Sequence, residues 1–278
     1  MAVWDSGYVE ANGLRIHYYR TGGAKPQVVL AHGVTDDGLC WTPVAEVLAP
    51  EYDVVMVDAR GHGRSDAPEG GYGPAEQAED LAGVIAALGL ERPAILGHSM
   101  GAATALTLAG AHPEMPRAIL LEDPPAWWVE TRERRANDGE RRAGMRSWLA
   151  GRKRKTREEL IAEQRAQTPN WSEAEIAPWA DAKHRVSMAV LDVFGPDNPA
   201  SVDWAATLRR VRCPVLLITG DPAHGAIVTE GDAAALEELI PHLRVAHIPG
   251  TGHSIRRDHF AQYLEVVRGF LAETHTAA

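Results

Sequence analysis

The chain has 278 residues, 45% of them hydrophobic and 24% charged, with a formal net charge of −10. That length can bury a large core and suits one α/β domain with an insertion, or two domains. The acidic balance argues against nucleic acid as a general partner, and no apolar stretch approaches the roughly 20 residues needed to span a membrane.

Met1 to Gly7 carry neither a basic region nor an apolar core, so no secretory signal is expected and the expected location is cytoplasmic. Cys40 and Cys213 read as free, buried thiols. Tyr8-Val9-Glu10 and Leu14 to Tyr19 flank Asn12-Gly13, a favoured turn pair, and predict a hairpin. Val28 to Ala31 is a short buried strand ending at His32-Gly33, followed by a helix over Trp41 to Leu48. Tyr52 to Val57 is the next strand and ends in the run Asp58 to Asp66. Pro74 opens a helix running to Leu88, since proline is favoured in a first turn. Pro93-Ala94-Ile95-Leu96 is a strand, Ala102 to Ala109 a helix of small apolar residues, and Ala118 to Leu121 another strand. From 126 to 206 no β-branched run appears. This part holds Trp127, Trp128, Trp148, Trp171, Trp179 and Trp204, with eleven Arg or Lys between Arg132 and Arg157, and reads as a helical insertion. The sheet pattern resumes with Pro214 to Thr219, a helix over Glu230 to Leu239, the strand Arg244 to Ile248 and a last helix over Asp258 to Leu271. Residues 273–278 are expected to fray. The alternation predicts a mainly parallel sheet with helices on both faces, and a ligand site beyond the carboxyl ends of its strands.

Gly97-His98-Ser99-Met100-Gly101 sits between a predicted strand and a predicted helix. This is the context in which G-x-S-x-G forms a nucleophile elbow: the turn lifts the hydroxyl clear of the backbone, and the helix N-terminus favours developing negative charge. A serine hydroxyl needs a base. Among twelve histidines, His253 is chosen by position, because Gly250-Thr251-Gly252-His253 follows the last predicted strand. His98 lies inside the turn and should point elsewhere, His32 should order the loop behind the oxyanion site, and His62 reads as a loop residue. The acid that orients the base stays open between Asp123 and Asp221, each following a strand at the same sheet edge. The oxyanion donors are expected to be the backbone amides of Met100 and of Val34, after His32-Gly33.

His32-Gly33, the Asp58 to Asp66 run, Gly97 to Gly101 and Gly252-His253, in that order and spacing, resemble the α/β-hydrolase superfamily. The resemblance implies an eight-stranded, mostly parallel sheet with a helical cap, here residues 126–206, inserted in a core of residues 1–125 and 207–278. Within the superfamily the chain is similar to small capped esterases and lactonases and to cofactor-free haloperoxidase-like members. The family commonly places its acid in a G-x-x-D pattern after the penultimate strand. Counted from Gly220 that position is Ala223, and Asp221 comes too early. Haloalkane dehalogenases and zearalenone-hydrolase-like lactonases resemble a variant with the acid one strand earlier, which Asp123 matches and which makes it the preferred acid. His32, Gly33, Trp127 and Trp128 are expected to line the substrate pocket, with Met100 at its border. The interleaved charges of 132–157 read as a solvated, salt-bridged helical face.

The expected function is a serine hydrolase of a carboxylic ester or lactone with an apolar body, working through an acyl-enzyme without cofactor or metal. Two alternatives stand beside it: C–C bond hydrolysis or perhydrolysis on the same residues, and a non-catalytic ligand-binding receptor built on the fold.

Overall fold

The computed structural model describes residues 4–129, 132–195 and 202–276, with the side chains of 132–138 and 276 left out of the description. Eight strands form one sheet: β1 (Asp5–Ala11), β2 (Leu14–Arg20), β3 (Gln27–Ala31), β4 (Asp53–Val57), β5 (Ala94–His98), β6 (Ala118–Glu122), β7 (Val215–Thr219) and β8 (Leu243–His247), ordered β1-β2-β4-β3-β5-β6-β7-β8. β1 and β2 make the predicted hairpin, with Asn12 and Gly13 at φ 49° and 77°, the left-handed conformations that such a tight turn requires. β2 joins β4 antiparallel, and the remaining pairs are parallel.

Alternation along the strands divides the core into two layers. Val29, Val55, Ile95, Ile119 and Leu217 face one side. There they meet α2 (Pro74–Ala87), α3 (Met100–Ala111) and α8 (Glu230–Leu239). Val28, Val54, Leu96, Leu120 and Leu216 face the other, against α1 (Thr42–Leu48) and α10 (Phe260–Thr276). β3 to β7 are buried on both faces, so they read as continuous apolar runs.

Between β6 and β7 the described residues contain no strand. They form α4 (Arg132–Lys153), α5 (Arg157–Gln167), α6 (Glu173–Arg185), a 3₁₀ stretch Met188–Phe194 and α7 (Trp204–Leu208). The two ends of this segment pack into the sheet's own core, where Trp127, Trp128, Trp204 and Leu208 share a cluster with α3. Of the charged stretch, Arg142, Lys155 and Arg157 pair with Asp192, Glu163 and Asp181, carboxylates that lie beyond the run itself.

The last helix differs from its prediction. It begins earlier, as α9 (Ile255–Asp258), and breaks at His259 before α10. Arg256 and Arg257 of α9 point inward to buried carboxylates, so this turn is set by those pairs rather than by the α10 axis. α10 also runs past the expected fraying point to Thr276, and Glu273 pairs with Arg244 of β8.

The elbow glycines are required by close approach. A Cβ on Gly101 would lie 2.1 Å from the Ala31 carbonyl oxygen, and one on Gly97 would lie 2.3 Å from the Gly101 carbonyl oxygen. Backbone atoms cannot give way as a side-chain tip can. Gly101→Ala is therefore expected to lower unfolding stability by about 3 kcal/mol or more, read as a shift of the urea midpoint. An unchanged midpoint contradicts this packing.

Candidate active site

β5 delivers Ser99 to the carboxyl edge of the sheet at φ 51° and ψ −113°, a conformation that non-glycine residues avoid. It is held there by its N–H, which donates to the Glu122 carbonyl at 2.9 Å, and by its carbonyl, which accepts from the Ala103 N–H at 3.0 Å. α3 starts at the next residue, so the Met100 amide belongs to the first turn, whose amides have no intrahelical acceptor.

The loop after β8 brings His253 to the serine. His253 Nε2 lies 3.1 Å from Ser99 Oγ, and its Nδ1 lies 2.6 Å from Asp123 Oδ2. Asp123 is fully buried after β6 and also takes the φ of 41° rare for its type. Its carboxylate accepts from the amides of Ile227 and Val228 at 2.8 and 3.0 Å, so three nitrogens fix its orientation: two backbone amides and the His253 ring nitrogen.

Asp221, the other acid considered, is not brought to His253. It accepts from the Gly250 amide at 2.6 Å and pairs with His247 at 3.0 Å. Its pKa is lowered, chiefly by the Gly250 amide. Asp221 thus braces the loop that carries His253 from outside.

Val34 sits in a turn closed by the Asp36 amide donating to the Gly33 carbonyl at 3.1 Å. Among the described residues neither the Val34 nor the Met100 amide has a protein acceptor. Thr35, third in that turn, has φ 71°, where glycine is the usual occupant. Three histidines brace this corner. His32 accepts from the Ala59 amide and donates to the Gly33 carbonyl. His62 donates to the Arg60 carbonyl and accepts from the Thr35 amide. His98 turns away from Ser99, and its Nε2–H donates to the His253 carbonyl at 2.9 Å. The role of His98 as a prop under His253, and of His62 under Thr35, is not visible in sequence spacing.

Ser99 and His253 open into a cavity of about 320 Å³. Of the residues named from the sequence, Val34, Met100 and Trp127 line it. Trp128, His32 and Gly33 do not. The Trp128 indole is turned to the Asp232 carbonyl, His32 is spent on the loop behind, and Gly33 is pressed against the His98 ring, where a Cβ would lie 2.7 Å from Nδ1. The apolar wall comes instead from residues of the helical segment: Met145, Trp171, Trp179, Val193 and Phe194.

Two arginines also reach the cavity. Arg257 is buried and already holds Asp36 at 2.9 Å and Glu175 at 3.0 Å. Arg141 stacks on Phe194, its guanidinium carbon 5.3 Å from the ring centroid, and no described carboxylate pairs with it. Beneath them Asp36 meets Lys183, Arg256 and Arg257. Burial alone would raise the Asp36 pKa, but Arg257, Lys183 and Arg256 together hold it well below the usual carboxylate range. Among the described residues no group of three or more His, Cys, Asp or Glu is placed to hold a metal ion.

Burial pushes His62 down to about 3, with His32 adding to the effect, and burial holds His98 well below its ordinary value. In the unfolded chain both titrate near 6.5. As pH falls below that value the unfolded state takes up protons that the folded state refuses, so stability declines with falling pH until the folded values are reached. The melting temperature is expected to drop between pH 7 and pH 5, and His62→Gln to flatten that slope. A slope unchanged by the substitution contradicts a neutral, buried His62.

The sequence profile of the alpha/beta hydrolase fold matches residues 26–259. N-formylmaleamate deformylase of Pseudomonas putida is 32% identical over 95% of this chain and 96% of the relative. 2-(Acetamidomethylene)succinate hydrolase of Mesorhizobium japonicum is 27% identical over 85% of this chain and 84% of the relative. A crystal structure of E-2-(acetamidomethylene)succinate hydrolase superposes with a TM-score of 0.80 at 24% identity, covering 97% of this chain and 100% of that one. With this sheet, this elbow and a profile match over most of its length, the chain belongs to the alpha/beta hydrolase fold family.

Proposed function

We propose that the protein is a serine hydrolase that opens an acyl bond, ester or lactone, of a small substrate through an acyl-enzyme. The observation that carries this is the unbroken line Ser99 Oγ, His253, Asp123, at 3.1 and 2.6 Å, on the floor of the cavity. His253 Nε2 takes the hydroxyl proton as Ser99 attacks the carbonyl. Asp123 accepts the Nδ1–H and so holds the tautomer in which Nε2 is free to act as base. The unsatisfied amides of Val34 and Met100 receive the oxyanion. His253 then returns the proton to the leaving group, and a water activated by the same imidazole releases the acid. The helical segment between β6 and β7 acts as a cap that excludes solvent from these steps.

A second reading concerns the substrate and is favoured by Arg141. A cation on an aromatic ring, with no carboxylate partner among the described residues, suits a substrate carboxylate better than the purely apolar body suggested by the sequence. The names of the two relatives describe an N-formyl and an acetamido compound that are themselves carboxylates. An N-acyl amide of a small acid reacts through the same tetrahedral intermediate, so this reading changes the leaving group and keeps the residues. C–C bond hydrolysis and perhydrolysis use the same nucleophile and separate from it only by substrate panel. A non-catalytic receptor is the reading that failure of Ser99 labelling by a fluorophosphonate would support.

Ser99→Ala is expected to lower turnover of p-nitrophenyl acetate by on the order of 10⁴-fold or more with an unchanged circular dichroism spectrum. Retained activity removes Ser99 as nucleophile. Arg141→Met is expected to raise KM for mono-4-nitrophenyl succinate by about 10- to 100-fold and to leave the neutral acetate ester within about threefold. Equal effects on both esters would show that Arg141 does not read the charge.

A further inference from the structure

Lys183 of α6 is 0% exposed. An ammonium in that setting is costly unless each of its donors is met. Its Nζ donates to the Thr35 carbonyl at 2.8 Å and to Asp36 Oδ1 at 3.0 Å, and it lies 4.8 Å from the centroid of the Trp179 ring. Asp36 does not depend on it alone: Lys183 meets Oδ1, while Oδ2 meets Arg257 at 2.9 Å and Arg256 at 3.4 Å. The Thr35 carbonyl has no second protein donor among the described residues. Besides its bond to Asp36 Oδ1, Lys183 supplies a grip on the peptide that follows Thr35.

That peptide needs gripping. Thr35 has φ 71° and a β-branched side chain, a combination that costs of order 1–3 kcal/mol and persists only where the surroundings impose it. Its N–H is met by His62 and its carbonyl by Lys183. Relaxation of Thr35 toward negative φ would rotate the turn and carry the Val34 amide away from Ser99. Lys183 reaches in from the helical segment, so the grip also makes the state of the turn depend on how α6 is docked. Arg185 of the same helix holds Asp37, the next residue but one, at 2.7 Å.

We propose that Lys183 is a positioning residue for hydrolysis: from α6 it holds the Thr35 carbonyl and thereby keeps the Val34 amide aimed at the oxyanion. The proposal rests on the reading of Ser99 as nucleophile and of Val34 as oxyanion donor.

The competing role is charge balance. Lys183, Arg256 and Arg257 face Asp36, Glu122 and Glu175 in one buried cluster. Lys183→Met leaves that cluster with one excess negative charge, and Lys183→Met with Asp36→Asn restores its balance without restoring the Thr35 contact. Both variants and Asp36→Asn alone are assayed with p-nitrophenyl acetate and by thermal unfolding, beside a wild type whose turnover is abolished by Ser99→Ala. Lys183→Met is expected to lower kcat by on the order of 10- to 100-fold with KM within about threefold. The double variant is expected to regain melting temperature relative to Lys183→Met and not to regain kcat. Thr35→Gly, which removes the strain, is expected to shrink the kcat loss caused by Lys183→Met. A double variant in which kcat returns with stability, a Lys183→Met enzyme with wild-type kcat, a loss carried by KM alone, or a double variant that does not fold each overturns the proposal. Turnover that survives Ser99→Ala instead overturns the nucleophile assignment beneath it.

Discussion

The distance between α3 and β3 is the constraint on which the rest of this structure depends. Gly101 lies against the Ala31 and His32 carbonyls so closely that no side chain fits between. Gly97 lies as closely on the first turn of the same helix. Two glycines four residues apart thus let a helix begin directly over the end of the neighbouring strand. Ser99, between them, is carried to the edge where the turn after β3 arrives. A wider spacing would separate the Val34 amide from the Met100 amide, the pair proposed to receive the oxyanion. Small residues along α3, Ala102, Ala105 and Ala109 among them, continue the close contact away from the site.

Beneath that corner the protein buries six charged side chains in one cluster. Asp36, Glu122, Glu175, Lys183, Arg256 and Arg257 are all buried, and they come from the β3 loop, the end of β6, α6 and α9. Desolvation costs several kcal/mol per ion in such a site, and a well-packed apolar cluster of the same volume is often at least as stable. Two carboxylates of the cluster show the balance. Asp36, with three cations, is held well below the ordinary range, whereas burial still raises the Glu122 pKa despite Arg256. What ion pairs do better than aliphatic contacts is direction. They tie four segments, far apart in sequence, to one another at stated atoms. Arg256 also stacks on Trp41 at 4.3 Å, and Arg257 on Trp171 at 4.8 Å.

The sheet was legible because its strands are short, apolar and bounded by turn residues, and because periodicity reports burial directly. Ser99 and His253 were legible for a different reason: glycines mark where the backbone is crowded, and both residues sit among them. Asp123 and Asp221 could not be separated by position, since both follow strands at one edge. What separates them is the loop 224–228, whose Ile227 and Val228 amides converge on Asp123 while Asp221 turns outward to Gly250 and His247. The cavity wall was the least legible part. Trp127 and Trp128 are adjacent, and one faces the cavity while the other faces Asp232. No pattern within a helical segment says which face lies over a site on another element. Phe194, Met145 and Arg141 enter the cavity only because α4 and the 3₁₀ stretch fold back over the sheet edge.

Three non-glycine residues with positive φ stand at this edge: Thr35, Ser99 and Asp123. Such strain, of order 1–3 kcal/mol for each residue, survives only where neighbouring atoms allow no alternative. For Ser99 the alternative is blocked by the glycine-packed turn and by its bond to the Glu122 carbonyl. For Asp123 it is blocked by two backbone amides on the carboxylate and by the Ile218 carbonyl on its own N–H. For Thr35 the restraint comes from side chains, His62 on one side and Lys183 on the other. The first two are imposed by the sheet and its adjoining loops. The third is the only one that draws on the helical segment, so in the proposed mechanism the helices between β6 and β7 act on the turn that carries Val34 rather than on Ser99 or Asp123.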